Sequence, residues 1–164
     1  MTPEPAGSAP AAPVDAPARD GAAPIPGVAL VVGVDVIERD RLLRAHRRYG
    51  ERFLARVFTE IEVAQAQGNV ARLAGRFAAK EACAKALGTG IGAVAWREIE
   101  IVRLPGGKPS LRLHGRAAAH AQSLGVTTFD VSISDTATHA YAIVVGVGLD
   151  FTPGLSPARR GETA

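Results

Sequence analysis

The sequence has a single cysteine, Cys83, in 164 residues. One thiol excludes an internal disulfide and favours a reducing compartment, so we expect a cytoplasmic protein. Aromatic residues make up only 5% of the chain, which is few for a protein that stacks on nucleic-acid bases. No apolar run approaches the ~18 residues of a membrane-spanning helix, so we expect no membrane partner.

Motifs that define several large enzyme classes are also missing. The chain has no phosphate-binding loop of the Walker type, no G-x-S-x-G and no paired CxxC. Its four histidines lack metal-ligand spacing, and we interpret them as ordinary surface residues. The glycine-rich GTGIG follows a helical pattern, whereas the dinucleotide-binding fingerprint follows a strand. These absences exclude the commonest nucleotide-binding and hydrolase signatures.

Composition divides the chain into a body and two tails. Residues 1–27 hold seven of the eleven prolines and eight alanines, and we interpret them as a disordered tail. Residues 150–164 are interpreted as a second, flexible tail. The body, residues 28–149, is expected to form one domain. A net charge of +3 is mild, and it suits an acidic protein or a polyanionic small molecule as partner.

Periodicity in the body predicts an α+β fold, a mostly antiparallel sheet packed against one long helix. A buried strand ending at Asp35 is followed by residues 39–57 with helical character. Thr59 and Glu62 match a capping box that begins a short helix, and Asn69 is expected to cap the central helix. The remaining predicted elements are strands at 98–101, 110–114, 129–133 and 139–149, a hairpin turn at 104–109 and a helix at 116–124.

The stretch RFAAKEACAKALGTGIG, residues 76–92, predicts a helix that ends near Leu87 and is followed by a glycine-rich loop. Glu81 projects beside the apolar stripe of this helix, and Lys85 lies one turn further on. An acid at the edge of a buried stripe, near cations and a glycine-rich loop, suits a metal ion and phosphates. The alternative is a plain ion pair on a solvated helix, worth only ~0.3–0.5 kcal/mol.

A second acid follows an apolar run upstream. In VALVVGVDVIERDR, seven apolar or glycine residues lead directly into Asp35, as in a buried strand that ends in an acid. The alternative is that Asp35 is the N-cap of the next helix, a position for which aspartate is well suited.

The helical region after this strand is rich in arginine. Between Glu38 and Arg56 there are seven arginines and three acids. The functional interpretation is a docking surface for an acidic protein, with Arg41, Arg44 and Arg48 as its candidate residues. The alternative is a solvated basic face, which most charged runs form.

VGVDVIERDR and RFAAKEACAKALGTGI together resemble the two signature motifs of the holo-acyl-carrier-protein synthases, a 4′-phosphopantetheinyl transferase family. The resemblance covers about Val28 to Gly148, and GGKPSLRLHG and VSISDTATHAYAIVV match the family in order and spacing. It implies the 4′-phosphopantetheinyl transferase fold. Asp135 stands where many members have histidine, so a contact from that position to the nucleotide is not implied.

The resemblance also implies a reaction. The 4′-phosphopantetheine group would pass from coenzyme A to a serine of apo acyl carrier protein, releasing adenosine 3′,5′-bisphosphate, in support of fatty acid biosynthesis. Asp35 and Glu81 are implied as ligands of Mg²⁺, Glu81 as the base for the serine hydroxyl, and Lys85 as the stabiliser of the leaving phosphate. The residues implied to bind coenzyme A are Arg76, Lys80, Lys85, Gly88, Thr89, Gly90, Lys108 and Pro109.

The last strand indicates an oligomer. Residues 140–149 read AYAIVVGVGL without polar alternation, so both faces of this strand require burial. The central helix covers one face, and a second copy of the chain would cover the other. The family resemblance makes the expected assembly a homotrimer. The alternative is that the helix at 116–124 covers the second face within one chain.

Two other function classes stay open on the sequence alone. The basic helix would also suit a nucleic-acid-binding module, although acids at both motif centres would repel phosphates, and we expect no nucleic-acid partner. A non-catalytic interaction subunit is the other class, and the presence of Asp35, Glu81 and Lys85 argues against it.

Overall fold

The computed structural model describes residues 27–149, and the predicted tails lie outside the described residues apart from Gly27. No helix within this part of the chain is long and apolar enough to cross a membrane. The elements, in chain order, are β1 (Val28–Glu38), α1 (Arg39–Tyr49), α2 (Glu51–Val57), α3 (Glu60–Ala66), a 3₁₀ turn (Val70–Arg72), α4 (Leu73–Ala86), an irregular turn α5 (Gly90–Ala93), a 3₁₀ turn (Trp96–Glu98), β2 (Ile99–Arg103), β3 (Pro109–Leu113), α6 (Gly115–Ser123), β4 (Thr128–Asp135) and β5 (His139–Leu149).

Two predicted boundaries are wrong. Strand β1 continues past Asp35 to Glu38, because Glu38 still pairs with His139 of β5. Asp35 therefore lies inside a strand, and it is not a helix N-cap either. The helix predicted at 39–57 is two helices, since Gly50 adopts a positive φ of 58° and breaks the run.

The strands form two antiparallel sheets. The larger has the order β1–β5–β4, and the smaller is the β2–β3 hairpin. In the larger sheet β5 is central and pairs along its whole length with β1, from Val28 opposite Leu149 onwards. The α+β class and the antiparallel pairing are confirmed, although the five strands are divided between two sheets.

Helix α4 packs on β1 and β5 through a stripe of alanines. Ala74, Ala78, Ala82 and Ala86 recur every four residues and are all buried. Opposite them lies Gly33, where an added Cβ would stand 2.0 Å from the Ala82 carbonyl oxygen. The missing side chains let the helix axis approach the strand closely. Residues at the odd positions of β1 therefore lie directly against α4.

The other face of the larger sheet is apolar and exposed. Its side chains alternate with those that face α4, and we call them the open sheet face. Its members are Leu30, Val32, Val34, Val36, Tyr141, Ile143 and Val145, which are between 40% (Val145) and 66% (Leu30) exposed. Helix α6 packs elsewhere, where His120 Nε2 lies 3.0 Å from the carbonyl oxygen of Leu87 at the end of α4. The alternative that α6 covers this face is therefore wrong.

Candidate active site

An aspartate and a lysine meet where β1 crosses α4. Lys85 Nζ lies 2.7 Å from Asp35 Oδ1, and it also donates to the Val34 carbonyl oxygen at 3.3 Å. Asp35 occupies an odd position of β1, so its side chain points towards α4 and is only 16% exposed. The close approach at Gly33, one strand repeat earlier, makes this contact possible.

Glu81 is the third member of this group. It precedes Lys85 by one turn of α4, and burial raises its pKa, with a further rise from the charge of Asp35. The charges of Lys85 and Arg41 act in the opposite direction. The structure thus brings the three predicted catalytic residues together. Lys85 pairs with Asp35, which lies on a distant part of the chain. The alternative of a plain ion pair between Glu81 and Lys85 along a solvated helix does not explain this contact.

The same group fits a magnesium ion by its chemistry. Within residues 27–149 no three histidine, cysteine or acidic side chains cluster in a way that could hold a metal. Asp35 and Glu81 would therefore offer a metal two hard oxygen ligands, without a closed cage. Mg²⁺ suits such a set, since it usually binds one or two carboxylates and keeps waters and substrate phosphates as its other ligands.

A second feature is a cavity of about 860 Å³ near the N-terminal end of α4. Four arginines line it, and we call it the arginine cavity. These arginines are Arg39, Arg72, Arg76 and Arg103. Asp135 is the one acid among its lining residues. The surplus of positive charge favours an anionic ligand.

Three of these arginines are held by neutral groups. Arg76 Nε donates to the Ile101 carbonyl oxygen at 3.2 Å, and its Nη2 donates to Gln65 Oε1 at 3.2 Å. Burial lowers the pKa of Arg76, and the charge of Arg103 lowers it further, while Glu62 opposes the change. The other contacts are Arg72 Nη1 to Gln67 Oε1 at 2.8 Å and Arg103 Nε to the Gly107 carbonyl oxygen at 3.1 Å. Carbonyl and amide oxygens fix these guanidinium groups without neutralising them.

Lys80 does not lie where the sequence predicted. Its side chain is fully buried, and its Nζ binds Glu62 Oε2 at 2.8 Å and the Trp96 carbonyl oxygen at 2.9 Å. It also donates to the Ile99 carbonyl oxygen. The prediction that Lys80 contacts coenzyme A is therefore corrected, because its ammonium group is enclosed by protein acceptors. Its role is to tie α4 to α3 and β2.

The other residues predicted to bind coenzyme A fall into separate places. Gly88, Thr89 and Gly90 follow the C-terminal end of α4. That end, at Ala86, lies about 15 Å along the helix from Arg76 at the helical rise of ~1.5 Å per residue. Pro109 lines a smaller cavity that shares Arg76 with the arginine cavity. Lys108 Nζ pairs with Asp130 at 3.0 Å and lines neither cavity. One chain thus does not bring all the predicted residues together.

The arginines predicted to dock a partner lie on α1. Arg44 pairs weakly with Glu38 at 3.8 Å, and the guanidinium of Arg48 lies 5.2 Å from the centre of the Tyr49 ring. A groove of about 520 Å³ lies beside them. Four aromatic residues line it, together with two further arginines and one valine. They are Tyr49, Phe53, Phe77 and Trp96, then Arg52 and Arg56, then Val57. Sequence reasoning missed this groove, because Phe77 and Trp96 come from other elements.

Comparisons with known proteins identify the family to which this chain belongs. A family model described as the 4′-phosphopantetheinyl transferase superfamily matches residues 31–144. The chain is 49% identical to a holo-[acyl-carrier-protein] synthase of Herpetosiphon aurantiacus over 126 residues, covering 73% of this chain and 99% of the relative. It is 42% identical to the corresponding synthase of Rhizobium meliloti over 130 residues, covering 74% and 94%.

Solved structures give the same result. The holo-[acyl-carrier-protein] synthase of Neisseria meningitidis superposes with a TM-score of 0.65 at 37% identity, covering 71% of this chain and 96% of that one. The synthase of Helicobacter pylori, solved in complex with coenzyme A, has a TM-score of 0.65 at 30% identity, covering 70% and 98%.

The chain therefore belongs to the 4′-phosphopantetheinyl transferase superfamily. Within it, the relatives that match nearly end to end are holo-[acyl-carrier-protein] synthases. The prediction that this chain is an enzyme of that family, acting on an acyl carrier protein, is confirmed.

Proposed function

We propose that this enzyme moves 4′-phosphopantetheine from coenzyme A to a serine of apo acyl carrier protein, with Mg²⁺, in fatty acid biosynthesis. The observation that carries the proposal is the group formed by Asp35, Glu81 and Lys85, in which a carboxylate with a raised pKa stands beside an acid–lysine pair of 2.7 Å. Acids that have a raised pKa and lie next to a specific charged partner are typical of catalytic sites.

In the reaction, the serine oxygen forms a bond to the β-phosphorus of coenzyme A, and the bond from that phosphorus to the bridging oxygen breaks. The products are the phosphopantetheinyl serine and adenosine 3′,5′-bisphosphate. Glu81 takes the proton of the hydroxyl, and its raised pKa makes it a stronger base than an ordinary glutamate. Lys85 stabilises the charge that develops on the leaving phosphate. Mg²⁺ held by Asp35 and Glu81 would supply charge neutralisation at the pyrophosphate.

The arginine cavity suits the remaining phosphate of coenzyme A. The pyrophosphate must reach the catalytic acids, which leaves the 3′-phosphate monoester, with a charge close to −2, for a site rich in arginine. Arg76 is the predicted ligand that lies there. Its guanidinium is already oriented by Ile101 and Gln65, so little side-chain entropy is lost on binding.

A homotrimer is part of the proposal. The open sheet face presents seven exposed apolar side chains, a patch that a monomer would rarely leave in water. The glycine loop after α4 and the arginine cavity lie at opposite ends of that helix. Assembly through the sheet would let loop and cavity from neighbouring subunits share one coenzyme A, and it would explain why one chain separates them.

The acyl carrier protein would dock on α1 and the groove beside it. Arg41, Arg44 and Arg48 supply positive charge, and the aromatic groove offers apolar surface next to it. An acidic helix with apolar side chains would match both. A cytoplasmic setting fits a chain with one cysteine, Cys83, which cannot form an internal disulfide.

The test is incubation of the protein with coenzyme A, Mg²⁺ and an apo acyl carrier protein, followed by mass spectrometry of the carrier. A gain of one phosphopantetheine is expected. Asp35→Asn and Glu81→Gln should each reduce the rate at least ~10²-fold, as loss of a metal ligand or general base does. The control is Glu60→Gln, since Glu60 is almost fully exposed and makes only a 4.0 Å pair with Arg97. Near-normal rates in both acid variants would refute the assigned roles.

A further inference from the structure

One arginine of the arginine cavity differs from the other three. Arg39 is the first residue of α1, and it is the one whose described contacts include a carboxylate. Its Nη1 donates to the Thr136 carbonyl oxygen at 2.9 Å and lies 3.3 Å from Asp135 Oδ2. Its backbone N–H also donates to the Thr138 carbonyl oxygen at 2.8 Å. Both the main chain and the side chain of Arg39 are thus fixed to the β4–β5 turn.

That turn is itself well ordered by hydrogen bonds. Thr136 Oγ1 accepts from the backbone N–H groups of Thr138 at 3.3 Å and His139 at 3.0 Å. The Thr136 N–H donates to the His139 carbonyl oxygen at 2.8 Å. Because the turn is closed on itself, the carbonyl oxygens of Thr136 and Thr138, which accept from Arg39, keep their positions. A side chain fixed in this way binds a ligand with little loss of entropy.

The contacts of Arg39 leave most of its donors for a ligand. A guanidinium carries five N–H donors, and the described contacts of this side chain use Nη1 alone. Asp135 is well exposed, so water screens its charge and the pair with Arg39 neutralises the guanidinium only in part. Arg39 is therefore oriented by Asp135 while it can still bind a phosphate.

We propose that Arg39 is a further phosphate-binding residue for the 3′-phosphate of coenzyme A, and that Asp135 positions it. The inference rests on the proposed function, because it takes coenzyme A as the ligand. Asp135 contributes indirectly, by orienting a cation, and does not itself touch the nucleotide.

The experiment is calorimetric titration of the full chain with adenosine 3′,5′-bisphosphate and, separately, with 5′-AMP, which lacks the 3′-phosphate. Arg39→Ala is expected to weaken binding of the bisphosphate about 10-fold, the lower end for loss of a charged hydrogen bond, and to change 5′-AMP binding less than twofold. Arg39→Lys should recover part of the loss, since it keeps the charge without the planar fork. The control is Arg97→Ala, which removes a positive charge away from the cavity.

The role of Asp135 is tested by a double-mutant cycle. Asp135→Asn should weaken bisphosphate binding about 3-fold in the wild-type background and have no effect when Arg39 is already alanine. In steady state, Arg39→Ala should raise KM for coenzyme A with kcat unchanged, and it should leave KM for dephospho-coenzyme A unchanged. Thermal melting of each variant checks that it is folded.

The outcomes separate the inference from the function it rests on. A wild-type chain that neither binds the bisphosphate nor transfers the group overturns the proposed function and this inference together. A wild-type chain that binds, with Arg39→Ala binding equally well, overturns the role of Arg39 alone. Tighter binding by Asp135→Asn in both backgrounds would show that Asp135 only repels the anion, which overturns its positioning role.

Discussion

Substitution of Lys80 tests whether this lysine stabilises the fold or binds the substrate. In the structure its ammonium is enclosed by Glu62 and by two backbone carbonyl groups, and no part of the side chain is exposed. Lys80→Met keeps a long apolar side chain of similar volume but removes the charge. The Glu62 carboxylate would then be left buried without a cation.

Removal of one partner of a buried pair costs about 3–5 kcal/mol. Glu62 keeps two other donors, the backbone N–H groups of Thr59 at 2.8 Å and Ile101 at 3.0 Å. We therefore expect Lys80→Met to lower the free energy of unfolding by about 3 kcal/mol, the lower end of that range. For a chain of this size this corresponds to a fall in Tm of roughly 10 °C. The double variant Lys80→Met with Glu62→Gln should recover much of this loss, since it leaves no unpaired charge.

The assay is thermal and urea unfolding, together with KM for coenzyme A measured well below the lowered Tm. The KM should stay within about twofold of wild type, because the side chain is enclosed. The stability control is Lys108→Met, which breaks an exposed pair with Asp130 and should leave the free energy of unfolding nearly unchanged. Normal stability of Lys80→Met with a strongly raised KM would refute the structural role and show that Lys80 binds the substrate.

Three further predictions concern the open sheet face, the basic helix and the catalytic acid. Val145→Arg, on the open sheet face, should release folded, inactive monomers, whereas Val144→Arg, at a fully buried position, should mainly unfold the chain. Light scattering and melting curves distinguish the two results, and a monomer that is active would refute the proposed role of assembly. Arg41→Glu with Arg48→Glu should raise KM for the carrier protein about 10-fold or more and leave that for coenzyme A nearly unchanged, and an unchanged carrier KM would place docking elsewhere. Because the pKa of Glu81 is raised in the fold, ionising this side chain lowers the free energy of unfolding once the pH exceeds its ordinary pKa. With a chelator present, Glu81→Gln should therefore raise Tm at pH 8 and not at pH 4, and equal changes in Tm at the two pH values would contradict this.

Features set by local sequence were predicted well. Thr59 and Glu62 form the expected capping box, with both reciprocal hydrogen bonds present. Asn69 is a helix cap as expected, with its Oδ1 accepting from the Ala71 N–H at 3.0 Å, but it caps the 3₁₀ turn Val70–Arg72, and the N-cap of α4 itself is Arg72. These signals depend on residues within three positions of one another, so the sequence determines them without knowledge of the fold.

Features set by distant partners were predicted poorly. The strand containing Asp35 continues to Glu38 because β5 lies beside it, and no residue near Asp35 indicates that. Lys80 is buried because Glu62, from another helix, reaches it. Arg39 was not among the predicted ligands, since the arginine cavity forms only when the β4–β5 turn meets the start of α1. Each of these depends on pairing across the fold, which a single sequence shows only indirectly.

Strand β1 shows how assembly and catalysis would be linked in the proposed trimer. Its odd positions, which include Gly33 and Asp35, face α4, and its even positions, which include Val34 and Val36, lie on the open sheet face. Consecutive residues therefore serve the catalytic group and the proposed interface. A charge placed on the open sheet face does not touch the contact between Asp35 and Lys85. If such a variant becomes an inactive monomer, the loss of activity must come from the loss of groups that a neighbouring subunit supplies. The separation of the glycine loop from the arginine cavity within one chain supports that arrangement.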